Sequence, residues 1–157
     1  MRVITCDTDE SLGAVSDLFN HYRHHYGETR DDDRTRAWLT DMVRWGRLTV
    51  YTAFADSSAD SPPIGVATAH AVPASLAMGQ FWQLRDLYVL PAARRRGVAA
   101  ALVDAVRGAA LAAGATRLSL VTEVDNHEAL RLYRRLGFQP VAGLTSLSLD
   151  LARPAYS

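Results

Sequence analysis

Apolar positions recur every three to four residues in two segments near the start of the chain, the spacing of one helix face. The first segment begins at a capping residue, Thr8 or Asp9, and extends to about His24. The second ends near Gly46, a residue type that often terminates helices. The apolar residues that define these two faces are Leu12, Val15, Phe19 and Tyr22, then Trp38, Met42 and Trp45.

Segments rich in β-branched and aromatic residues predict extended strands at the start of the chain and after the second of these helices. The predicted strands are residues 2–6, 48–55, 64–72, 81–90 and 116–122. A final strand is predicted where Leu147, Leu149 and Leu151 alternate with polar residues.

Residues 81–122 form a strand–helix–strand pattern, whose helix begins near Gly97 and ends at Ala113. Such a unit makes its two strands parallel, with a right-handed crossover. A further helix from Asp125 or Asn126 to Gly137 completes the order β-α-α-β-β-β-α-β-α-β-β. We therefore expect one α/β domain over residues 1–157: a mixed sheet of six to seven strands flanked by about four helices.

Composition and net charge exclude several classes of protein. The 157 residues are 48% hydrophobic and carry no net charge, which argues against non-specific binding to nucleic acid or to an anionic membrane. The single cysteine, Cys6, cannot form an internal disulfide, and the first residues do not resemble a signal peptide. With no apolar run near the ~20 residues that span a bilayer, we expect a cytoplasmic protein.

The turn Arg94-Arg95-Arg96-Gly97 lies between a predicted strand and the helix that follows it. A helix N-terminus in this position offers free N–H groups and a positive dipole end to phosphate. All 17 basic residues are arginine, so the lysine of a nucleoside-triphosphate loop is missing, as are the three glycines of a dinucleotide site. The turn fits a metal-free diphosphate site made of backbone amides; the alternative is a solvated basic patch before a helix-start glycine.

Two motifs give the chain a resemblance to a known family. Arg94-x-x-Gly97-x-Ala99 fits the (Gln/Arg)-x-x-Gly-x-(Gly/Ala) signature of the GCN5-related N-acetyltransferases (GNAT). Asn126-x-x-Ala129-x-x-Leu132-Tyr133-x-x-x-Gly137-Phe138 resembles the second core motif of that family. Leu84-x-Asp86-Leu87-Tyr88-Val89 is similar to the branch with polyamine- and histone-acetylating members.

The resemblance implies a GNAT-like fold and acetyl-CoA as co-substrate, without a metal. The strands ending near residues 89 and 122 would splay apart to admit the thioester. The amides of residues 95–100 would hold the pyrophosphate, and residues 87–89 would pair with the pantetheine arm. The cofactor-binding residues it implies are Leu87, Tyr88, Val89, Arg94, Arg95, Arg96, Gly97, Val98, Ala99, Ala100, Asn126 and Tyr133.

The resemblance assigns Tyr133 as the general acid that protonates the leaving thiolate; its alternative role is a core aromatic. Asn126 is also a favoured helix N-cap residue, and the capping and cofactor-binding roles can coexist. Family members often carry a glutamate at positions that match Gln83 and Arg85, which we expect to share one sheet face because they are two residues apart. Neither is acidic, so the base that accepts the amine proton stays open.

The first candidate for this base is Glu123, at the end of the predicted strand 116–122. Asp86, expected on the opposite side of its strand, His70 and a water relay are the others.

The expected reaction is direct acetyl transfer, in a ternary complex, to a primary amine of a small molecule that can carry a carboxylate facing Arg85. The candidate acceptor-binding residues are Tyr26, Trp82, Gln83 and Arg85, with Tyr22, His25 and Trp38 as further aromatic candidates. The alternatives are a non-catalytic acyl-CoA-binding regulatory module and a protein or peptide N-acetyltransferase. No nucleic-acid or membrane partner is expected, and the exposed edge of the final strand is compatible with a homodimer.

Overall fold

The computed structural model describes residues 1–152, which form five strands and four α-helices. The strands are β1 (Arg2–Thr5), β2 (Thr49–Phe54), β3 (Pro63–Ala74), β4 (Gly79–Val89) and β5 (Leu118–Leu120). The α-helices are α1 (Asp9–His25), α2 (Asp32–Arg44), α3 (Val98–Ala112) and α4 (His127–Arg135), and short 3-10 turns occupy Ser75–Ala77 and Pro91–Ala93. None of these helices is long and apolar enough to cross a membrane.

The five strands form one mixed sheet in the order β1-β2-β3-β4-β5. Neighbouring strands are antiparallel except β4 and β5, which are parallel and joined through α3, as the strand–helix–strand pattern predicts. The β4–β5 ladder joins Trp82–Leu84 to Leu118–Leu120, while β3 accompanies β4 as far as Val89. Within the described residues, β4 therefore continues beyond its pairing with β5 and leaves one edge free.

The prediction of six to seven strands is wrong: the described part of the chain forms five. Residues 139–150 adopt no regular secondary structure, and the side chains of Leu147, Leu149 and Leu151 are exposed. Alternation of apolar and polar residues indicates which side chains would share a face of a strand. A strand also needs a neighbouring strand whose backbone forms hydrogen bonds with it, and alternation does not show that one is present. The homodimer expectation rested on this strand and loses its basis, and residues 153–157 lie outside the described residues.

Apolar side chains pack on both faces of the sheet. On one face α3 contributes Val98, Leu102 and Val106, all almost fully buried. On the other face α1 and α2 contribute Leu12, Val15 and Leu39. Burial of such side chains stabilises by roughly 1.5–3 kcal/mol each, so both helical layers are firmly attached to the sheet.

A β-bulge in β4 changes which way its side chains point. Thr68 of β3 is opposite Asp86, but the next residue, Ala69, is opposite Leu84, so Arg85 is an extra residue without a partner. Beyond such a bulge the alternation of side chains is displaced by one position. The expected arrangement, with Gln83 and Arg85 on one face and Asp86 on the other, is therefore wrong: Gln83 and Asp86 share the face that is covered by α1.

Cross-strand contacts on this face confirm the change. The Gln83 side chain lies 3.2 Å from the imidazole of His70, atom to atom from Oε1 to Nε2. The Asp86 carboxylate accepts a hydrogen bond from the Thr68 hydroxyl. Both partners are on β3, directly opposite their contacts in the ladder.

Candidate active site

A cleft of about 760 Å³ opens where β4 and β5 separate. Its walls come from the end of α1, the second half of β4, the first turn of α3, the residues after β5 and one side of α4. The structure brings these sequence-predicted residues together around it: Tyr26, Arg85, Leu87, Tyr88, Val89, Arg94, Arg95, Gly97, Val98, Ala99, Ala100, Glu123, Asn126 and Tyr133.

The turn between β4 and α3 presents free backbone donors to the cleft. Arg95 and Gly97 have φ angles of 60° and 78°, and Gly97 caps α3 with no side-chain hydrogen bond to its amides. The first intrahelical bond runs from Ala101 N–H to the Gly97 carbonyl, so the N–H groups of residues 98–100 precede the helical ladder. Together with the helix dipole, this arrangement is suited to a phosphate group.

Arg94 stiffens the same turn. Its Nε donates to the Val89 carbonyl at 3.0 Å, and its guanidinium carbon lies 5.8 Å from the centre of the Tyr88 ring. These two contacts tie the turn to the end of β4. Arg96, predicted from the motif to bind the cofactor, is exposed and does not line the cleft.

Tyr133 lies on the α4 side of the cleft, half-buried and in edge-to-face contact with Phe138 at 5.7 Å between ring centres. Burial raises the pKa of the Tyr133 hydroxyl, and nearby Tyr26 raises it further. The hydroxyl therefore keeps its proton at neutral pH and can act as a donor. The core-aromatic alternative is true in part, because the ring also packs beside the α3 layer.

Asn126 caps α4 and also lies at the cleft. Its side-chain oxygen accepts from the Ala129 N–H at 3.3 Å and caps α4, and the residue also lines the cleft. Glu123 stands just before it, with an exposed side chain at the cleft wall and its carbonyl bonded to the Asn126 N–H at 3.1 Å.

Aromatic side chains from the last turns of α1 form the opposite wall. The Tyr22 ring centre lies 5.2 Å from that of Tyr26 and 5.8 Å from that of Tyr88. His25 packs on Tyr26 at 5.1 Å and on Tyr88 at 5.9 Å. Helical spacing alone indicates that these α1 residues share a face, but only the fold shows that this face meets β4.

The structure places Trp82, Gln83 and Trp38 elsewhere. Trp82 precedes the bulge and packs with the core under α3, and Gln83 contacts His70. Trp38, on α2, stacks on Phe19 of α1 with 6.4 Å between the ring centres. None of the three lines the cleft.

The contact between Asp86 and Tyr22 was not predicted from the sequence. The Asp86 carboxylate does not line the cleft, but it accepts a hydrogen bond of 2.8 Å from the hydroxyl of Tyr22, which does. Strict alternation counted from Leu84, whose side chain packs under α3, would not place this acid beneath α1. The bulge at Arg85 places Asp86 there, and no glycine or other turn residue in the local sequence predicts this bulge.

Cys6 offers no nucleophile for this cleft. The side chain is 1% exposed, and burial raises the pKa of its thiol to about 12. A thiol that is protonated at neutral pH is a poor attacking group. Among residues 1–152, no group of three His, Cys, Asp or Glu side chains is arranged to hold a metal ion.

The model of one protein family matches this chain over residues 14–138: the acetyltransferase (GNAT) family. The match includes both motifs and extends from within α1 through α4. The chain belongs to the GNAT family. It is an N-acetyltransferase, and GNAT enzymes use acetyl-CoA as co-substrate.

Relatives of this acetyltransferase agree with the assignment. An uncharacterised N-acetyltransferase of Bacillus subtilis (strain 168), YhfO, is 28% identical over 138 residues, which are 88% of this chain and 90% of the relative. The crystal structure of a probable acetyltransferase is also 28% identical, with a TM-score of 0.88 over 98% of this chain and 100% of that chain.

A more distant solved structure shows the same fold. The aminoglycoside acetyltransferase meta-AAC0020, from an uncultured soil metagenomic sample, has a TM-score of 0.77 at 14% identity, over 96% of this chain and 95% of that chain. These relatives do not place the chain in the polyamine- or histone-acetylating branch.

The residues of the cleft fit acetyl-CoA. The uncapped start of α3 and the left-handed backbone at Arg95 and Gly97 suit a pyrophosphate. A Cβ built on Gly97 would meet no atom within 4 Å, so the cleft is open above this residue. The free edge of β4 suits the amides of a pantetheine arm.

Proposed function

We propose that this chain transfers the acetyl group of acetyl-CoA directly to a primary amine of a small molecule, with both substrates bound together. The observation that carries the proposal is the shared cleft, in which the phosphate-binding start of α3, the Tyr133 hydroxyl and the aromatic wall of α1 face the same space. Acetyl-CoA supplies the activated thioester when it is bound.

Each wall of the cleft has a distinct task. The amides of residues 95–100 and the guanidinium groups of Arg94 and Arg95 hold the pyrophosphate. The free edge of β4 at residues 87–89 orients the pantetheine arm. Asn126 fixes the start of α4 and so holds Tyr133 in place.

Tyr133 is the general acid of this proposal. Its hydroxyl donates a proton to the departing sulfur and is reprotonated from the nitrogen that has attacked. Glu123, exposed at the same cleft, accepts the first proton from the ammonium form of the acceptor and returns it to water. No step uses Cys6, because its thiol is buried and protonated.

Charge at the acceptor end favours a monoamine that carries its own carboxylate. Arg85 is exposed and lines the cleft beside the aromatic wall. A second ammonium group there would be repelled, whereas a carboxylate would be attracted. The acidic run 31–33 does not offset Arg85, because it lies at the start of α2, where Asp31 caps the helix, and none of its members lines the cleft.

Release of coenzyme A thiol in the presence of a panel of amines tests the proposal. Tyr133→Phe is expected to lower kcat by about 10²–10⁴-fold, the usual range for loss of a general acid, with calorimetric affinity for acetyl-CoA unchanged. Tyr51→Phe, which removes a hydroxyl from the core under α3 outside the cleft, is the matched control and is expected to keep wild-type kcat. Wild-type turnover in Tyr133→Phe would refute the general-acid role.

The same assay separates catalysis from mere binding. Acetyl-CoA binding by the wild-type chain without thiol release for any amine would instead support the non-catalytic module.

A further inference from the structure

We propose that Tyr22 positions the attacking nitrogen of the acceptor, and that Asp86 fixes the Tyr22 hydroxyl so that its oxygen faces the cleft as a hydrogen-bond acceptor. The inference rests on the proposed function, because it concerns the amine that receives the acetyl group. It assigns an acidic residue of β4 to acceptor recognition, although that residue does not touch the cleft.

The Asp86 carboxylate is committed to two hydroxyl donors. Its Oδ1 accepts from the Tyr22 hydroxyl at 2.8 Å, and its Oδ2 accepts from the hydroxyl of Thr68, a fully buried residue of β3. The carboxylate is thereby held in one orientation beneath α1. Of the three residues, Tyr22 lines the cleft.

The hydrogen bond to Asp86 fixes the polarity of the Tyr22 hydroxyl. A tyrosine hydroxyl has one proton to donate and lone pairs that accept. Since its proton is donated to Asp86, Tyr22 can offer a substrate only its oxygen lone pairs. An amine or ammonium N–H satisfies that oxygen, whereas a carboxylate oxygen would be repelled by it.

The environment keeps this hydroxyl protonated. Burial raises the pKa of Tyr22, and the adjacent Asp86 charge raises it further, while Arg85 acts in the opposite direction. The negative charge of Asp86 lies directly behind the hydroxyl and strengthens its oxygen as an acceptor. A bound ammonium group therefore contacts the polarised hydroxyl oxygen of Tyr22 and not the full negative charge of the Asp86 carboxylate.

Tyr22 lies on the wall that faces the proposed general acid. Its ring contacts that of Tyr26 at 5.2 Å, and both tyrosines line the same cleft as Tyr133. A nitrogen that donates one N–H to Tyr22 can thus direct its lone pair toward the middle of the cleft. This is where a thioester bound along β4 would end.

Variants at the two residues test the coupling. Tyr22→Phe keeps the ring and removes the oxygen, so it is expected to raise the KM for the amine about ten- to a hundredfold, as for the loss of a charge-assisted hydrogen bond. Its calorimetric affinity for acetyl-CoA is expected to stay within twofold of wild type. Tyr51→Phe again controls for the loss of a tyrosine hydroxyl outside the cleft.

The double-mutant cycle distinguishes positioning from a structural role. Asp86→Ala is expected to raise the KM for the amine in the wild-type background and to have no further effect in the Tyr22→Phe background, because Asp86 acts through Tyr22. Asp86→Asn, which keeps the shape of the side chain, replaces Asp86→Ala in the cycle if the latter fails to fold. A merely structural role would lower the stability of both Asp86 variants without changing the KM ratio between backgrounds.

Three results would overturn the inference. An unchanged amine KM in Tyr22→Phe excludes the contact, and equal effects of Asp86→Ala in both backgrounds exclude action through Tyr22. In either case the wild-type chain still turns over, so the proposed function survives. The absence of turnover with every amine would overturn both proposals together.

Discussion

Gly65→Ala is expected to impair acetyl-CoA binding from a position outside the cleft. Gly65 lies on β3 directly beneath the first turn of α3. A Cβ at this position would be 2.8 Å from Val98 Cγ1, 3.0 Å from Leu102 Cδ1 and 3.4 Å from the carbonyl oxygen of Tyr88. Carbon atoms normally approach to about 3.5–4.0 Å, and both side chains are buried, with Val98 3% and Leu102 0% exposed.

The contact distances set the size of the effect. Ordinary separation from Val98 requires a displacement of roughly 1 Å, and the buried Val98 side chain cannot move without its helix. We therefore expect the first turn of α3 to lift from the sheet. Overpacking of this kind costs about 1–3 kcal/mol in the free energy of unfolding.

The lifted turn carries the amides of residues 98–100, which are proposed to hold the pyrophosphate. Loss of one hydrogen bond to a charged group costs about 1.5–3 kcal/mol. The affinity for acetyl-CoA is therefore expected to fall at least about tenfold, measured by calorimetry, with urea unfolding measured in parallel.

A second substitution and a matched control make the experiment specific. Val98→Ala removes the nearest atom, so Gly65→Ala/Val98→Ala is expected to bind acetyl-CoA about as well as Val98→Ala alone. Gly108→Ala lies on the same helix, where its Cβ meets nothing within 4 Å. It is expected to stabilise α3 by up to about 1 kcal/mol without changing affinity. Wild-type affinity in a destabilised Gly65→Ala variant would refute the link between this packing and the cofactor site.

Two further substitutions test the turn and the core. Gly97→Asp is expected to lower acetyl-CoA affinity much more than Gly97→Ala. Both substitutions strain the left-handed backbone at this position (φ 78°), but only the Asp carboxylate repels phosphate. Equal calorimetric affinities of the two variants would count against the phosphate site. The Cys6 thiol, with its pKa raised by burial from 9.0 to about 12, ionises more easily in the unfolded chain. The stability it contributes is therefore complete below pH 9 and declines between pH 9 and 12. Cys6→Ala should flatten this decline in urea unfolding, and an identical alkaline profile would contradict the burial argument.

The turn before α3 could be predicted from the sequence because its geometry is local. Gly97 must supply a left-handed residue before a helix, and Ala99 allows close approach of a ligand to the first turn. Both requirements lie within six residues of Arg94, so they can be recognised from the residue types at these positions. The parallel pairing of β4 and β5 likewise follows from the α3 crossover between them.

The acceptor half and the end of the sheet depend on contacts between distant segments. Tyr22 meets Asp86 across 64 residues of chain, and nothing near either residue specifies the other. Leu147, Leu149 and Leu151 have the alternation of a strand, yet pairing requires a neighbour whose position is set by the whole fold. Within the described residues that neighbour is missing, and these leucines remain exposed.

The extra residue at Arg85 connects the two halves of the cleft. Counted from Leu84, which is buried under α3, strict alternation would point Asp86 into the same apolar layer. A carboxylate without partners there would be strongly destabilising. The bulge instead turns Asp86 toward Thr68 and Tyr22, and it leaves Arg85 exposed at the cleft.

The same displacement sets the orientation of the next residues, which line the cleft that is proposed to bind the cofactor. Leu87 and Val89 pack toward the α3 layer, while Tyr88 packs beneath α1. One inserted residue thus lets a single strand border the cleft with its free edge and support the aromatic wall of α1 with its α1-facing side chains.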